Sequence, residues 1–262
     1  MLEDKVAVVY GGGGAIGGAV AGVFAREGAR VYLAGRTRSK LEATARDIAA
    51  AGGEAHIATL DLLDEGAVHA HADTVAAQAG RIDVMLNAIG IAHLQGLRFL
   101  ETKLEDFTTP ISENARAQFI AAHAVARHMR SGSVILTLTT PGGRIAGKGF
   151  LANGVFSATT EAFSRLLAAE LGQEGIRVVC LRPTVLLDAV EKSGAREVFE
   201  GVAKINGVSM HEMISEYCRT STLLGRGPRL AEVAEFAAFA ASDRAGAMTG
   251  AIANLTCGSM VD

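Results

Sequence analysis

Residues 6–21 read Val-Ala-Val-Val-Tyr-Gly-Gly-Gly-Gly-Ala-Ile-Gly-Gly-Ala-Val-Ala, an apolar strand that breaks into a run of glycines and re-emerges as a helix rich in Ala and Val. Glycine lets a backbone turn this tightly and come close to a pyrophosphate. The helix that follows turns its unpaired N–H groups and the positive end of its dipole toward the anion. A second apolar run, residues 29–34, comes at the spacing of a βαβ unit. The segment reads as a phosphate cradle and predicts a chain that binds a dinucleotide.

At 262 residues and 49% hydrophobic content the chain can bury one large core. No Pro- or Ser-rich linker or shift of composition divides it, so one domain over residues 1–262 is expected. Apolar runs recur at residues 5–10, 30–35, 54–60, 82–87, 133–139, 176–182 and 251–255. Between them lie stretches with apolar residues three or four apart, such as Leu41, Ala45 and Ile48, then Phe163, Leu166 and Leu167. Alternation of this kind predicts an α/β fold, a doubly wound parallel sheet with helices on both faces. Gly28, Gly52 and Gly175 stand where helices should stop. Residues 188–224 form an insertion with helical pattern between the sixth and seventh strands, expected to be a substrate lid.

A net charge of -3 with interspersed charges gives no basic footprint for nucleic acid or an anionic membrane, so the expected partner is a small-molecule substrate. The N-terminus lacks a basic region followed by an apolar segment and a cleavage site, and no apolar stretch approaches the ~18 residues of a membrane span. A cytoplasmic location is expected. Cys180, Cys218 and Cys257 are odd in number and lack Cys-x-x-Cys spacing, which predicts reduced, structural thiols. His69 and His71 are two residues apart and His123 and His128 five apart, spacings that turn rings away from each other on a helix. No metal site is expected.

The order Gly11-x-x-x-Ala15-x-Gly17, Asp61-Leu62, Asn87-Ala-Ile-Gly90 and Asn114, with Thr140, Leu224-Gly-Arg-Gly-Pro and Met248-Thr-Gly-Ala further on, resembles the short-chain dehydrogenase/reductase family over nearly the whole chain. The resemblance implies a seven-stranded Rossmann sheet and a homo-oligomer, most often a tetramer, assembled through two long helices at about residues 114–130 and 153–173. It implies that Gly11, Gly14, Ala15, Ile16 and Gly17 hold the pyrophosphate. Asp61 would cap the adenine beside Leu62, Asn87, Ala88 and Gly90 would line the adenosine ribose, and Pro183 and Val185 would lie near the nicotinamide.

A carboxylate at the end of the second strand would bind ribose hydroxyls and repel a 2′-phosphate. Gly35 stands there, followed by Arg36 and Thr37, and the Arg fork suits a phosphate. The expected cofactor is NADP(H).

The resemblance implies carbonyl reduction through a proton relay. A Tyr gives the proton, a Lys four residues later lowers the Tyr pKa and holds the ribose, a Ser thirteen residues before the Tyr positions the carbonyl, and the helix Asn anchors a water. Here Phe156 and Thr160 are read at the Tyr and Lys positions, with Thr140 at the Ser position and Asn114 as the Asn. Thr140 to Phe156 is three residues longer than usual. Phe has no proton to give and Thr no charge, so two roles stand empty. Arg144, Lys148, His211 and Tyr217 are candidate replacements. The leading reading is an NADP(H)-dependent oxidoreductase acting on a small carbonyl or alcohol with an atypical relay. The alternatives are a catalytically silent cofactor-binding or scaffold subunit, and a non-redox lyase, isomerase or cyclase.

Overall fold

The computed structural model describes residues 1–93, 95–193 and 195–261. Along the chain run β1 (Val6–Tyr10), α1 (Ala15–Arg26), β2 (Arg30–Gly35), α2 (Arg38–Ala50), β3 (Ala55–Thr59), α3 (Glu65–Ala79) and β4 (Val84–Asn87). Then come α4 (Leu104–Ala126), β5 (Val134–Leu138), α5 (Leu151–Leu171), β6 (Arg177–Pro183), α6 (Ala195–Asn206), α7 (Met210–Ser221), α8 (Leu230–Ala241) and β7 (Ala251–Leu255). The strands form one seven-stranded sheet in the order β3-β2-β1-β4-β5-β6-β7, with every pairing parallel. This is the expected single-domain, doubly wound Rossmann architecture.

A strand covered on both faces must be apolar on both, and alternate residues here serve different cores. Ala7 and Val9 of β1 pack with Val20 and Phe24 of α1 and Ala237 of α8. Val8 and Tyr10 pack on the opposite face with Val68 of α3 and Ile120 of α4. Each fully buried Val, Leu, Ile or Phe contributes on the order of 1.5–3 kcal/mol. The strand order reverses at β1, between β2 and β4, and the crevice beyond the carboxyl ends there is the place for a ligand.

The helix stops at Gly28, Gly52 and Gly175 all have positive φ, at +98°, +84° and +75°. The two long helices differ from expectation at their starts. α4 begins at Leu104, ten residues before Asn114, with Pro110 inside it. Pro110, the seventh residue of α4, forfeits the hydrogen bond that a backbone N–H there would give to the Asp106 carbonyl, while Glu105 and Asp106 favour the helix start. α5 begins at Leu151, two residues before the expected start. The 188–224 insertion contains α6 and α7, which pack through Phe199, Ile214 and Cys218 onto Val185, Leu187 and Val190 of the chain leaving β6. Among the described residues no helix is long and apolar enough to cross a membrane.

One side chain ties the amino ends of the central strands together. Asp83, buried just before β4, accepts hydrogen bonds from the Val6 backbone N–H and from Arg81 Nε, both at 2.8 Å, while its own carbonyl accepts from Val134 N–H at 2.9 Å. Removing it strands a buried N–H and an Arg. Asp83→Ala is therefore expected to lower the unfolding free energy by about 2–4 kcal/mol in urea titrations, and a loss below about 0.5 kcal/mol would refute this clamp.

Candidate active site

The glycine turn between β1 and α1 is built by exclusion. Gly11 adopts φ +81°, and a Cβ there would lie 2.6 Å from the Ala88 carbonyl oxygen. A Cβ on Gly17 would lie 2.2 Å from the Gly11 carbonyl oxygen. No side chain fits at either position. Gly11, Gly13 and Gly14 form part of a cleft of about 280 Å³ at the switch point. Ala15 and Ile16, in the first turn of α1, pack with Leu186 and Val233, closing the cradle against the chain that follows Pro183 and Val185. Pro183 is buried at the end of β6, and Val185 packs beside Ile214 and Cys218.

The same cleft is lined by Gly35, Arg36, Thr37, Asp61, Leu62, Ala88 and Gly90, so the structure brings these expected residues together. It adds Lys40, which sequence reasoning missed. The first turn of α2 lies directly over the glycines, and a Cβ on Gly13 would meet Lys40 Cβ at 2.9 Å. Arg38 is held by Glu42 at 2.8 Å, whereas Arg36 and Lys40 form no salt bridge among the described residues. Asn87 does not line the cleft: it is buried, its amide donates to Gln118 Oε1 at 3.1 Å, and its Oδ1 accepts from Ile89 N–H at 3.3 Å. It is the last residue of β4, and its side chain braces the turn that follows. Tyr10 reaches the floor of the cleft with its hydroxyl buried and without a hydrogen-bond partner among the described residues, and burial pushes its pKa up. His71, edge-on to Tyr10 at 5.8 Å, is lowered to about 4 by burial.

At the carboxyl end of β5 a further cluster forms. Thr140 Oγ1 shares a hydrogen bond with Ser157 Oγ at 2.8 Å, donates to Asn153 Oδ1 at 3.3 Å, and accepts from Gly142 N–H at 3.3 Å. A Cβ on Gly142 would fall 1.6 Å from Asn153 Oδ1, so this glycine gives the amide its room. Asn153 Nδ2 in turn lies 2.9 Å from His93 Nε2. The His93 ring stacks on Phe156 at 5.2 Å and 21°, and its Nδ1 lies 3.1 Å from the Ile91 carbonyl.

Phe156 and Thr160 do not reach Thr140. Thr160, fully buried, accepts from Asn114 Nδ2 at 2.8 Å, and the same amide lies 3.4 Å from the Phe156 carbonyl. On a helix, positions 153, 157 and 161 share one face and 156 and 160 the next. The 153–157–161 face is turned to the end of β5, and the 156–160 face is turned to α4. The residues on the Thr140 hydroxyl are thus Asn153, thirteen positions later, and Ser157, four beyond that, which is the spacing of the Ser, Tyr and Lys roles with no insertion. That count was available in sequence. The place of His93 was not, because it depends on the loop after β4 folding against α5.

The other candidate donors are engaged elsewhere or exposed. Arg144 turns to Glu161 at 3.8 Å, and buried Glu161 also meets Arg182 at 3.2 Å. Lys148 and His211 are exposed, and Tyr217 Oη lies 3.2 Å from Thr184 Oγ1. All three cysteines are free, and burial pushes the Cys180 thiol up to about 11. Among the described residues no group of His, Cys, Asp or Glu could hold a metal ion. His69 and His123 do meet, at 3.3 Å, but across α3 and α4 rather than along one helix.

A family model described as enoyl-(acyl carrier protein) reductase matches residues 13–259. The chain belongs to the short-chain dehydrogenase/reductase family. It is 30% identical to the D-threitol dehydrogenase of Mycolicibacterium smegmatis over 252 residues, covering 95% of this chain and 90% of that one. Among solved structures, a short-chain dehydrogenase/reductase from Serratia marcescens is 25% identical with a TM-score of 0.80, covering 96% of each chain. A short-chain dehydrogenase from Burkholderia cenocepacia, solved in complex with NADP, is 24% identical with a TM-score of 0.82 and 98% coverage of both, a likeness of fold.

Proposed function

We propose that this chain is an NADP(H)-dependent oxidoreductase acting on a small carbonyl or alcohol, with the Tyr and Lys positions of its family held by Asn153 and Ser157. The observation that carries the reading is a glycine-built cleft at the switch point with Arg36 and Lys40 on its wall, together with a hydroxyl and amide cluster at the carboxyl end of β5 in the same sheet. Gly11, Gly14 and Gly17 leave room where a Cβ would collide, which fits a pyrophosphate. Gly35 presents no carboxylate, and Arg36 and Lys40 stand ready for a 2′-phosphate, with Thr37 beside them. Asp61 and Leu62 suit the adenine, Ala88 and Gly90 the ribose, and Pro183 and Val185 the nicotinamide side. A bound nicotinamide would supply two-electron exchange with the substrate carbon.

The chain's own part is to place the substrate oxygen. The Asn153 amide donates hydrogen bonds, and the Thr140 hydroxyl donates its one hydrogen when it turns from Asn153 Oδ1 to a substrate oxygen; aimed at an oxygen that gains charge, such donors lower the barrier. Ser157 and Gly142 N–H orient the Thr140 hydroxyl. Asn114 holds α4 to α5 through Thr160. Residues 188–224 serve as a lid on this reading: α6 lies over the loop after β4, where a Cβ on Gly96 would sit 3.2 Å from Ile205. Leu104, Phe119 and Leu166 are exposed on α4 and α5, which suits assembly through these helices as a homotetramer. Free thiols suit the reducing cytoplasm.

Three measurements test these assignments. Calorimetry is expected to show tighter binding of NADPH than NADH, with Arg36→Ala narrowing the gap by about 1.5–3 kcal/mol; equal affinities in the unmutated protein overturn the cofactor assignment. In a panel of small ketones and aldehydes, Thr140→Val is expected to cut kcat/KM by about 10²-fold at unchanged NADPH affinity. Cofactor binding without any turnover would instead favour the silent subunit. Sedimentation at micromolar concentration should give a tetramer mass, and a monomer would defeat the assembly.

A further inference from the structure

We propose that His93 is the acid–base residue of this site, exchanging a proton between its Nε2 and a substrate oxygen held beside the Asn153 amide nitrogen, while the amide oxygen of Asn153 is tied to the Thr140 hydroxyl. The assignment rests on the oxidoreductase reading above and adds the proton source that the reading lacks. Amides do not titrate, and the hydroxyls of Thr140 and Ser157 are far too weakly acidic to serve. Among the described residues, His93 is the titratable side chain hydrogen-bonded to this cluster.

The ring is already oriented for the task. A carbonyl only accepts, so the 3.1 Å contact with the Ile91 oxygen puts the hydrogen of neutral His93 on Nδ1 and leaves the Nε2 lone pair facing Asn153 Nδ2. The stack on Phe156 fixes the ring plane. Once Nε2 takes a proton, it and Asn153 Nδ2 confront each other as two donors 2.9 Å apart. An acceptor oxygen drawn in beside them resolves that conflict by accepting from both. Charged groups on the surrounding elements are Glu113 of α4, Arg144 and Lys148 of the chain between β5 and α5, Glu161 of α5 and Lys204 of α6. Of these, Arg144 and Glu161 face each other, and Lys148 and Lys204 are exposed.

In the reductive direction a bound reduced nicotinamide would supply the hydride to the substrate carbonyl carbon, and the electron pair of the C=O π bond would move onto oxygen. That oxygen takes the proton from His93 Nε2. The products are an alcohol, oxidised cofactor and neutral His93, whose Nε2 again accepts from Asn153. Alcohol oxidation runs the same steps backward, with neutral His93 as the base. Reduction therefore needs the protonated ring and slows as pH rises through the His93 titration, while oxidation does the reverse.

The test joins a direct titration to kinetics. With ¹⁵N-labelled histidine, NMR of the whole protein is expected to show His93 as the Nδ1–H tautomer at high pH, gaining a proton at Nε2 on acidification, with the midpoint displaced in Asn153→Leu. A ring that stays neutral between about pH 5 and 9, or that carries its hydrogen on Nε2, overturns the proposal without reference to activity. With NADPH and the carbonyl panel, His93→Gln is expected to lower kcat by about 10²–10³-fold, to leave the cofactor affinity within about twofold, and to lose the fall in rate at high pH. His93→Phe should match it in kcat, and its melting temperature reports any damage to folding. A His93→Gln enzyme with the wild-type rate and pH profile defeats the His93 assignment alone. Turnover with NADH but not NADPH defeats the cofactor choice alone, and His93→Gln then decides with NADH. A wild-type protein that reduces nothing in the panel defeats both.

Discussion

Three backbone segments meet at the crevice with no space for a side chain between them. The end of β1 turns at Gly11 against the Ala88 carbonyl that follows β4, and the first turn of α1 closes on Gly11 through Gly17. Because the interior on either side is filled, with Val9, Leu33 and Leu86 on one face and Val8, Tyr10 and Met85 on the other, the strands cannot shift to admit a methyl group. The direction of α1, the exposure of its amino end and the depth of the crevice all follow from this contact. A substitution of Gly17 would disturb the binding end and the packing of the central strands together.

α5 carries the other constraint, for it serves two neighbours at once. Its 153–157–161 face holds hydroxyl and amide groups at the end of β5, then the buried Glu161–Arg182 pair one turn deeper. Its 156–160 face binds α4 through Asn114. A rotation of the helix by one residue would exchange these faces. The Asn114–Thr160 hydrogen bond and the contact of Thr139 Oγ1 with the Ser157 carbonyl at 3.1 Å fix it from both sides.

The sheet was readable because period-two and period-3.6 apolar patterns are direct consequences of burial, and the observed strands start and end within two residues of the runs in the sequence. The start of α4 was not, since the range that the resemblance implies begins at Asn114, whereas the helix begins ten residues earlier and runs through Pro110. Arg36 and Asp61 stand at strand ends and line the cleft, whereas Asn87, expected at the ribose, turns its amide toward Gln118. At the chemical end an aromatic at 156 stood in for Tyr by its shape, and the register followed that likeness rather than the spacing. Lys40 and His93 depend on how segments far apart in sequence are laid over each other. Local patterns carry no trace of that.

The loop after β4 is stapled at Gly96, whose N–H donates to the Gly149 carbonyl at 2.9 Å, and a Cβ on Gly149 would sit 2.7 Å from Gly96 Cα. From the other side Ile205 and Val202 of α6 press on the same glycine. Two backbones and a helix are thus layered at one point with nothing compressible between them. His93 stands three residues before this seam, so the backbone that carries its ring is set by a contact between two glycines and α6 in which, among the described residues, no polar side chain takes part.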